Sequence, residues 1–294
     1  MHNSNEAQSM HFTMKTIPRK YDLDPNNVII NYHLGKYAGW LDICVKALHL
    51  HPTNIIGTLA REASNHAFYA LASDLPNAEK LLRVQHFHRF ALANFLIGAG
   101  KDGVQLAFNN TEITLVSERK TDFMGFEDWK HAYDVCMVMR DMRGLQFLST
   151  IDEEVMRQAN QKLTEYELAH FKLLSHFFTG GENTGKLLID AIEKGMKPQE
   201  NSQRTKFVDL IRVSEMFLLQ CIIEEDETKF NIRLAEALKN HKKYWETKAM
   251  RHYTNGYFSF GLLALCVMAV DTKKFAINVE SPYIPRWLIF REVE

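Results

Sequence analysis

Several groupings in this chain have the residue types for chemistry, and their settings decide what they can do. Gly98-Ala-Gly100-Lys-Asp-Gly103 has the spacing of a dinucleotide loop. That loop needs a strand before it and a helix after it. Here a helical pattern comes first and an alternating pattern follows, so the glycines end a helix. Gly180-Gly-Glu-Asn-Thr-Gly185-Lys186 has the skeleton of a phosphate loop. Leu187 stands where a Ser or Thr hydroxyl should hold Mg²⁺, and HFKLLSHFF before it reads as helix. A turn between helices is expected there.

Glu167-Leu-Ala-His170 is a single Glu-x-x-His, whereas a di-metal bundle uses two copies and further Glu. His49/His51 and His86/His88 are two apart, which on a helix sends them to nearly opposite faces. Ser259 in GYFSFG misses the nucleophile-elbow spacing and is expected inside an apolar helix, bonded to backbone. No catalytic, cofactor-binding or metal site is expected from these residues. Two acidic runs stand out: Asp152-Glu153-Glu154 and Glu224-Glu225-Asp226-Glu227. Such runs suit solvated turns ahead of helices, or a docking surface for a basic partner.

The elements that must position these residues are mostly helical. Apolar side chains recur at helical spacing from about Leu34 to Leu50, from Pro52, and from Pro76 to the glycines at 98–103. The period changes at Val104-Gln-Leu-Ala-Phe and Glu112-Ile-Thr-Leu-Val, around an Asn109-Asn110-Thr111 turn, which predicts a β-hairpin over about 104–117. Helices resume with FEDWKHAYDVCMVMRDM, interrupted at Gly144, and continue to the apolar FGLLALCVMAV. Phe275, Ile277 and Val279 alternate as a short C-terminal strand. The two prolines of SPYIPRW rule out a helix there. The polar EKGMKPQENSQRT is expected to be a mobile loop. The fold class is therefore mostly α, a multi-helix domain over 31–294 with an inserted hairpin, preceded by a loosely ordered arm over 1–30.

Composition excludes several function classes. Lys+Arg number 35 against 36 Asp+Glu, so no bulk attraction to nucleic acid or anionic membrane is expected. The four cysteines are far apart, which fits reduced core thiols. The first residues lack a secretory pattern, and the apolar run from Phe258 is shorter than the ~20 residues of a membrane span. A cytoplasmic protein is expected.

Three ordered segments carry a resemblance. The first is WKHAYDVCMVMRDMRGLQFL, with Trp129 leading to Arg140-Asp141. The second is EEDETKFNIRLAEALKNHKKYW, with Asp226 before Phe230-Asn231, then His241 and Tyr244-Trp245. The third runs from Gly256 to Leu288 and includes Asp271 and the ending INVESPYIPRWL, with Ser281, Tyr283 and Pro285. Together they resemble the Imm49 family of bacterial immunity proteins from polymorphic toxin systems, over roughly 55–290. Thr272-Lys273 and Ser281-Pro282 depart from the usual family pattern.

The resemblance implies a non-enzymatic protein, monomer or homodimer, that binds and neutralises a cognate toxin domain in the cytoplasm. The motif residues are then expected to be structural. Toxin contacts are expected at Asp152, Glu153, Glu154, Glu224, Glu225 and Glu227, and in the loop around Lys197–Arg204, including Arg204. A helical enzyme with an unrecognised site, or a scaffold without a toxin partner, are the alternatives.

Overall fold

The computed structural model describes residues 14–19, 27–50, 52–108, 111–117, 123–158, 163–180 and 182–292. A two-residue strand, β1 (Lys15–Thr16), precedes three long helices: α1 (Val28–Leu50), α2 (Pro52–Ala72) and α3 (Asn77–Gly98). Pro52 and Pro76 stand at the starts of the second and third, where a fixed φ and a missing N–H cost nothing. The hairpin follows as β2 (Val104–Phe108) and β3 (Thr111–Leu115), antiparallel, with buried Leu106 opposite buried Ile113. The expected turn at Asn109 and Asn110 lies outside the described residues.

Helices then return: α4 (Phe126–Met139), α5 (Met142–Ser149), α6 (Glu153–Gln158), α7 (Glu165–Thr179) and α8 (Thr184–Gly195). Next, α9 (Ser202–Phe207) continues without a break through a π-helical turn (Val208–Val213) into α10 (Ser214–Ile223). α11 (Glu227–Trp245), a 3-10 turn (Thr254–Gly256), α12 (Phe260–Lys273), β4 (Val279–Glu280) and α13 (Arg286–Phe290) complete the order. The mostly α class with an inserted hairpin is as expected.

The core is built on α12 and α4, which pack together. Ten successive residues of α12, Phe260 to Ala269, are buried. A helix apolar on all sides has to sit inside the molecule. Trp129 on α4 is fully enclosed, edge-on to Phe171 at 4.7 Å, and its indole N–H donates to the Leu148 carbonyl at 3.1 Å. All four cysteines are buried free thiols. No helix among the described residues is long and apolar enough to cross a membrane.

Six local expectations are corrected. The first helix begins at Val28 rather than near Leu34, and part of the presumed loose arm is held. β1 pairs parallel with β4, Ser281 Oγ donates to the Ile17 carbonyl at 2.8 Å, and Ile17 is buried. The fourth helix breaks at Arg140, which adopts a left-handed conformation, and not at Gly144. Asp141 then caps α5 by accepting from Gly144 N at 2.9 Å.

The expected mobile loop is mostly helix. Only residues 196–201 connect α8 and α9, tied by Gln199 Nε2 to the Lys194 carbonyl and by the Asn201 cap. Ser259 is not within the apolar helix but at its N-cap, accepting from Leu262 N at 3.4 Å. Finally, α13 starts directly after Pro285, since a proline ahead of the first turn removes no helical hydrogen bond.

Trp129→Ala is expected to destabilise the fold by about 3–5 kcal/mol through cavity formation and the lost indole bond. Denaturant unfolding measures it. A loss below about 1 kcal/mol would contradict the placement of Trp129 at the packing centre.

Candidate functional site

Glu127, Lys130, His131 and Asp134 recur at i, i+3, i+4 and i+7, so α4 presents them along one face. That face meets the α9–α10 helix. Lys130 Nζ lies 2.5 Å from Asp134 Oδ1 and 3.4 Å from Glu215 Oε2. Arg212 Nη1 donates to both Glu215 oxygens, at 3.0 and 2.9 Å, and Nη2 donates to Glu127. Arg204 Nη2 reaches Glu127 at 2.9 Å and Glu167 at 2.6 Å. Lys130, Asp134, Arg212 and Glu215 are each 3–4% exposed. Both guanidiniums also lie about 5 Å from the Phe207 ring.

Local structure sets these positions. Arg212 is in the π-helical turn, where one added residue per turn shifts the side chains that follow. Thr164 and Glu167 form a reciprocal capping box at the start of α7, which orients Glu167 toward Arg204. α12 crosses over Glu215 at Gly261, where a Cβ would collide with the Glu215 carboxylate. A side chain at 261 would have to displace the Glu215 carboxylate from its place between Arg212 and Lys130.

The charges are uneven. Three cations (Lys130, Arg204, Arg212) face four carboxylates (Glu127, Glu167, Asp134, Glu215). Burial opposes ionisation of Glu127, but Arg212 and Arg204 bring its pKa down to about 2. Glu215 is likewise held low by Arg212 and Lys130 against burial. Burial raises Asp134, which carries the excess.

Three recesses meet above this network at His131 and Asn255. One of about 260 Å³ extends between α2 and α3 and is lined by Arg61, Asn65, Asn94 and Asp128. A small one beside it reaches Asp134, Arg212, Glu215 and Gly261. The third, of about 500 Å³, is lined by Gln203, Arg204, Phe207, Trp245 and Tyr253. Thr254 Oγ1 donates to Asn65 Oδ1 at 3.0 Å, which ties the 3-10 turn across the cleft to α2. Burial lowers His131 to about 4 and raises Asp128 to about 6. The cleft therefore offers a neutral imidazole, an amide and a carboxyl over a charged floor.

Residues marked in the sequence fall in other places. Asp152 Oδ1 accepts from Glu154 N, and Arg157 pairs with Glu153 at 2.6 Å and Glu154 at 3.8 Å. Glu224 pairs with Lys229 at 2.7 Å, and Glu225 pairs with Lys273. Glu227 Oε2 accepts from Ala276 N at 3.1 Å, and Asp226 caps α11 by accepting from Lys229 N. Asp152, Glu154, Glu224 and Glu225 remain exposed. Arg204 is held in the network just described.

The motif residues brace the scaffold. Arg140 makes a bidentate pair with Asp271, at 2.7 and 3.2 Å, and donates to the Ile289 carbonyl. Asn231 clamps the chain at 276–278, donating to the Ala276 carbonyl at 2.8 Å and accepting from Asn278 N at 2.7 Å. Phe230 stacks edge-on to Phe275, and His241 edge-on to Tyr283. Tyr244 and Trp245 flank Phe207.

The network and cleft were not foreseen. Their sequence signal is charge inside otherwise apolar helices: Lys130 and Asp134 at i, i+4, and Arg212 and Glu215 at i, i+3. His86 and His88 do face apart, toward Tyr37 and Asp141 respectively. Among the described residues, His88, Cys136 and Asp141 are the one group of three whose donor atoms could share a metal ion.

Lys130→Met leaves Asp134 and Glu215 short of a cation in the interior. It is expected to cost about 3–5 kcal/mol in urea unfolding. Adding Asp134→Leu is expected to recover part of that loss, and strictly additive losses would contradict the coupling.

Stability is also expected to fall on acidification. Burial holds His66, His86 and His131 down to about 4, and His170 and His241 to about 3. In the unfolded chain they protonate near 6.5, so between about pH 6.5 and 4 that chain binds more protons. Asp128 and Asp134, with raised pKa, act in the opposite sense but are fewer. Tm should drop steadily from pH 6.5 to 4. A flat or rising Tm over that window would contradict the buried neutral histidines.

No curated protein and no solved structure matches the chain. A protein-family model does, that of immunity protein 49, over residues 56–288. That span includes the α4 face, the π-helical turn, the cleft and all three motif segments. The chain therefore belongs to the Imm49 family of immunity proteins.

Proposed function

We propose that this chain binds a cognate toxin domain in the cytoplasm and holds it inactive by a stoichiometric protein–protein contact. The observation that carries this reading is the family match across residues 56–288, most of the chain. The inhibitor acts by occupying surface, so it needs a rigid frame with exposed groups and no turnover of its own. Asp152, Glu154, Glu224 and Glu225 are exposed carboxylates on capped turns of such a frame. They suit a basic face on the toxin, where charge complementarity speeds encounter and fixes register. An interface of the usual size, ~1,600 Å², can take in one acidic turn and its neighbours.

One observation favours a second reading, that of a helical enzyme. Asp128 and His131, with displaced pKa values, line one recess. Reproducible turnover of a substrate, abolished in His131→Ala, would support it.

The binding reading is tested with the purified chain and the toxic domain encoded by the adjacent gene. A 1:1 complex is expected on size-exclusion chromatography. Glu224→Lys with Glu225→Lys is expected to weaken it at least tenfold, with Tm little changed. Unchanged affinity would remove that turn from the interface, and no complex at micromolar concentrations would count against the partner assignment.

A further inference from the structure

A second constellation lies apart from the cleft and the acidic turns. His88 comes from α3, Cys136 from α4, and Asp141 from the N-cap of α5. Their donor atoms all lie within 4.8 Å of one another, and His88 Nε2 is 2.9 Å from Asp141 Oδ2. We propose that His88, Cys136 and Asp141 form a binding site for a single divalent transition-metal ion, with Zn²⁺ the best match.

The donor set selects the metal class. Thiolate, imidazole and carboxylate together suit borderline Zn²⁺, whereas Mg²⁺ and Ca²⁺ take oxygen ligands. A tetrahedral zinc site with ordinary bond lengths puts its ligand atoms about 3.3–3.7 Å apart. The three groups reach that spacing by small side-chain movements. The cation replaces the His88–Asp141 hydrogen bond, and the imidazole proton moves to its other ring nitrogen.

The surroundings fit an open site. Cys136 is fully buried, whereas the His88 and Asp141 side chains are 16% and 26% exposed. The sulfur forms the floor, and a fourth position faces solvent, as three-ligand zinc sites require for water. Gly144 backs the site. A Cβ there would lie 2.5 Å from Asp141 Oδ2 and 3.1 Å from Cys136 Sγ. Glycine inside a helix is unfavourable, and here its absent side chain leaves room for the sulfur and the carboxylate together. Arg140, next to Asp141, is turned to Asp271 and the Ile289 carbonyl.

Binding is balanced in protons. The Cys136 thiol loses its proton to solvent as the sulfur–metal bond forms, and no oxidant or reductant takes part. Burial and Asp141 disfavour the free thiolate, so the thiolate arises with the metal.

The test uses the full chain without an affinity tag, folded in the presence of Co²⁺ or Zn²⁺ and then gel-filtered. The expected result is one retained equivalent, and for Co²⁺ a thiolate-to-metal charge-transfer band in the near ultraviolet. Cys136→Ser should remove the band while circular dichroism stays unchanged. His88→Gln and Asp141→Asn, which can still cap the helix, should weaken binding roughly tenfold or more. Should Cys136→Ser fail to fold, the His88→Gln affinity decides. A folded protein without the band, or a band and stoichiometry unaffected by these variants, would overturn the site.

Discussion

The centre of this protein depends on a set of charges that can be inside only together. Lys130 and Arg212 are each enclosed, and so are Asp134 and Glu215. Removing Lys130 or Arg212 leaves buried carboxylates short of a cation, which is far costlier than losing an exposed pair. The set therefore fixes how α4 sits against the α9–α10 helix, and Gly261 brings α12 down on the same carboxylate. Against well-packed apolar residues such a cluster need not add net stability. Packings that separate these helices would strand the charges. The cleft at His131 and Asn255 shares its floor with the network, so its shape is tied to the core.

Around this centre, residues of the three segments singled out in the sequence act as braces. The Arg140–Asp271 pair joins the left-handed break after α4 to the end of α12, and its bond to Ile289 adds α13. Asn231 and Glu227 hold the extended chain at 276–278 to α11. Ser281 carries the connection on to Ile17 near the N-terminus. The Arg140 and Ser281 contacts reach across more than a hundred residues, so the scaffold closes on itself.

Much of the fold was legible because burial leaves a period in the sequence. The helices showed apolar spacing of 3.6, and the hairpin showed alternation at Val104, Leu106 and Phe108. The breaks were less legible. Arg140 takes a positive φ that favours glycine, so the glycine at 144 is the stronger break signal in the sequence, while in the structure it makes a close approach to Asp141 and Cys136. The segment at 196–201 is polar, yet Gln199 and Asn201 satisfy its backbone. The network was hidden because Lys130, Asp134, Arg212 and Glu215 each resemble the exposed side of a helix. Only the docking of two helices 80 residues apart turns those sides inward. The π-helical turn that sets Arg212 changes the hydrogen-bond register and leaves no pattern in residue type. His88 neighbours His86 in sequence, whereas its partner Asp141 is 53 residues away.

The most direct measurement of the central claim, specific neutralisation of a toxin, is growth of a susceptible bacterium expressing the adjacent gene's toxic domain. Co-expression of this chain should restore growth for that toxin and leave an unrelated toxin lethal. Toxicity that persists with the folded protein present at equal or greater abundance would contradict it.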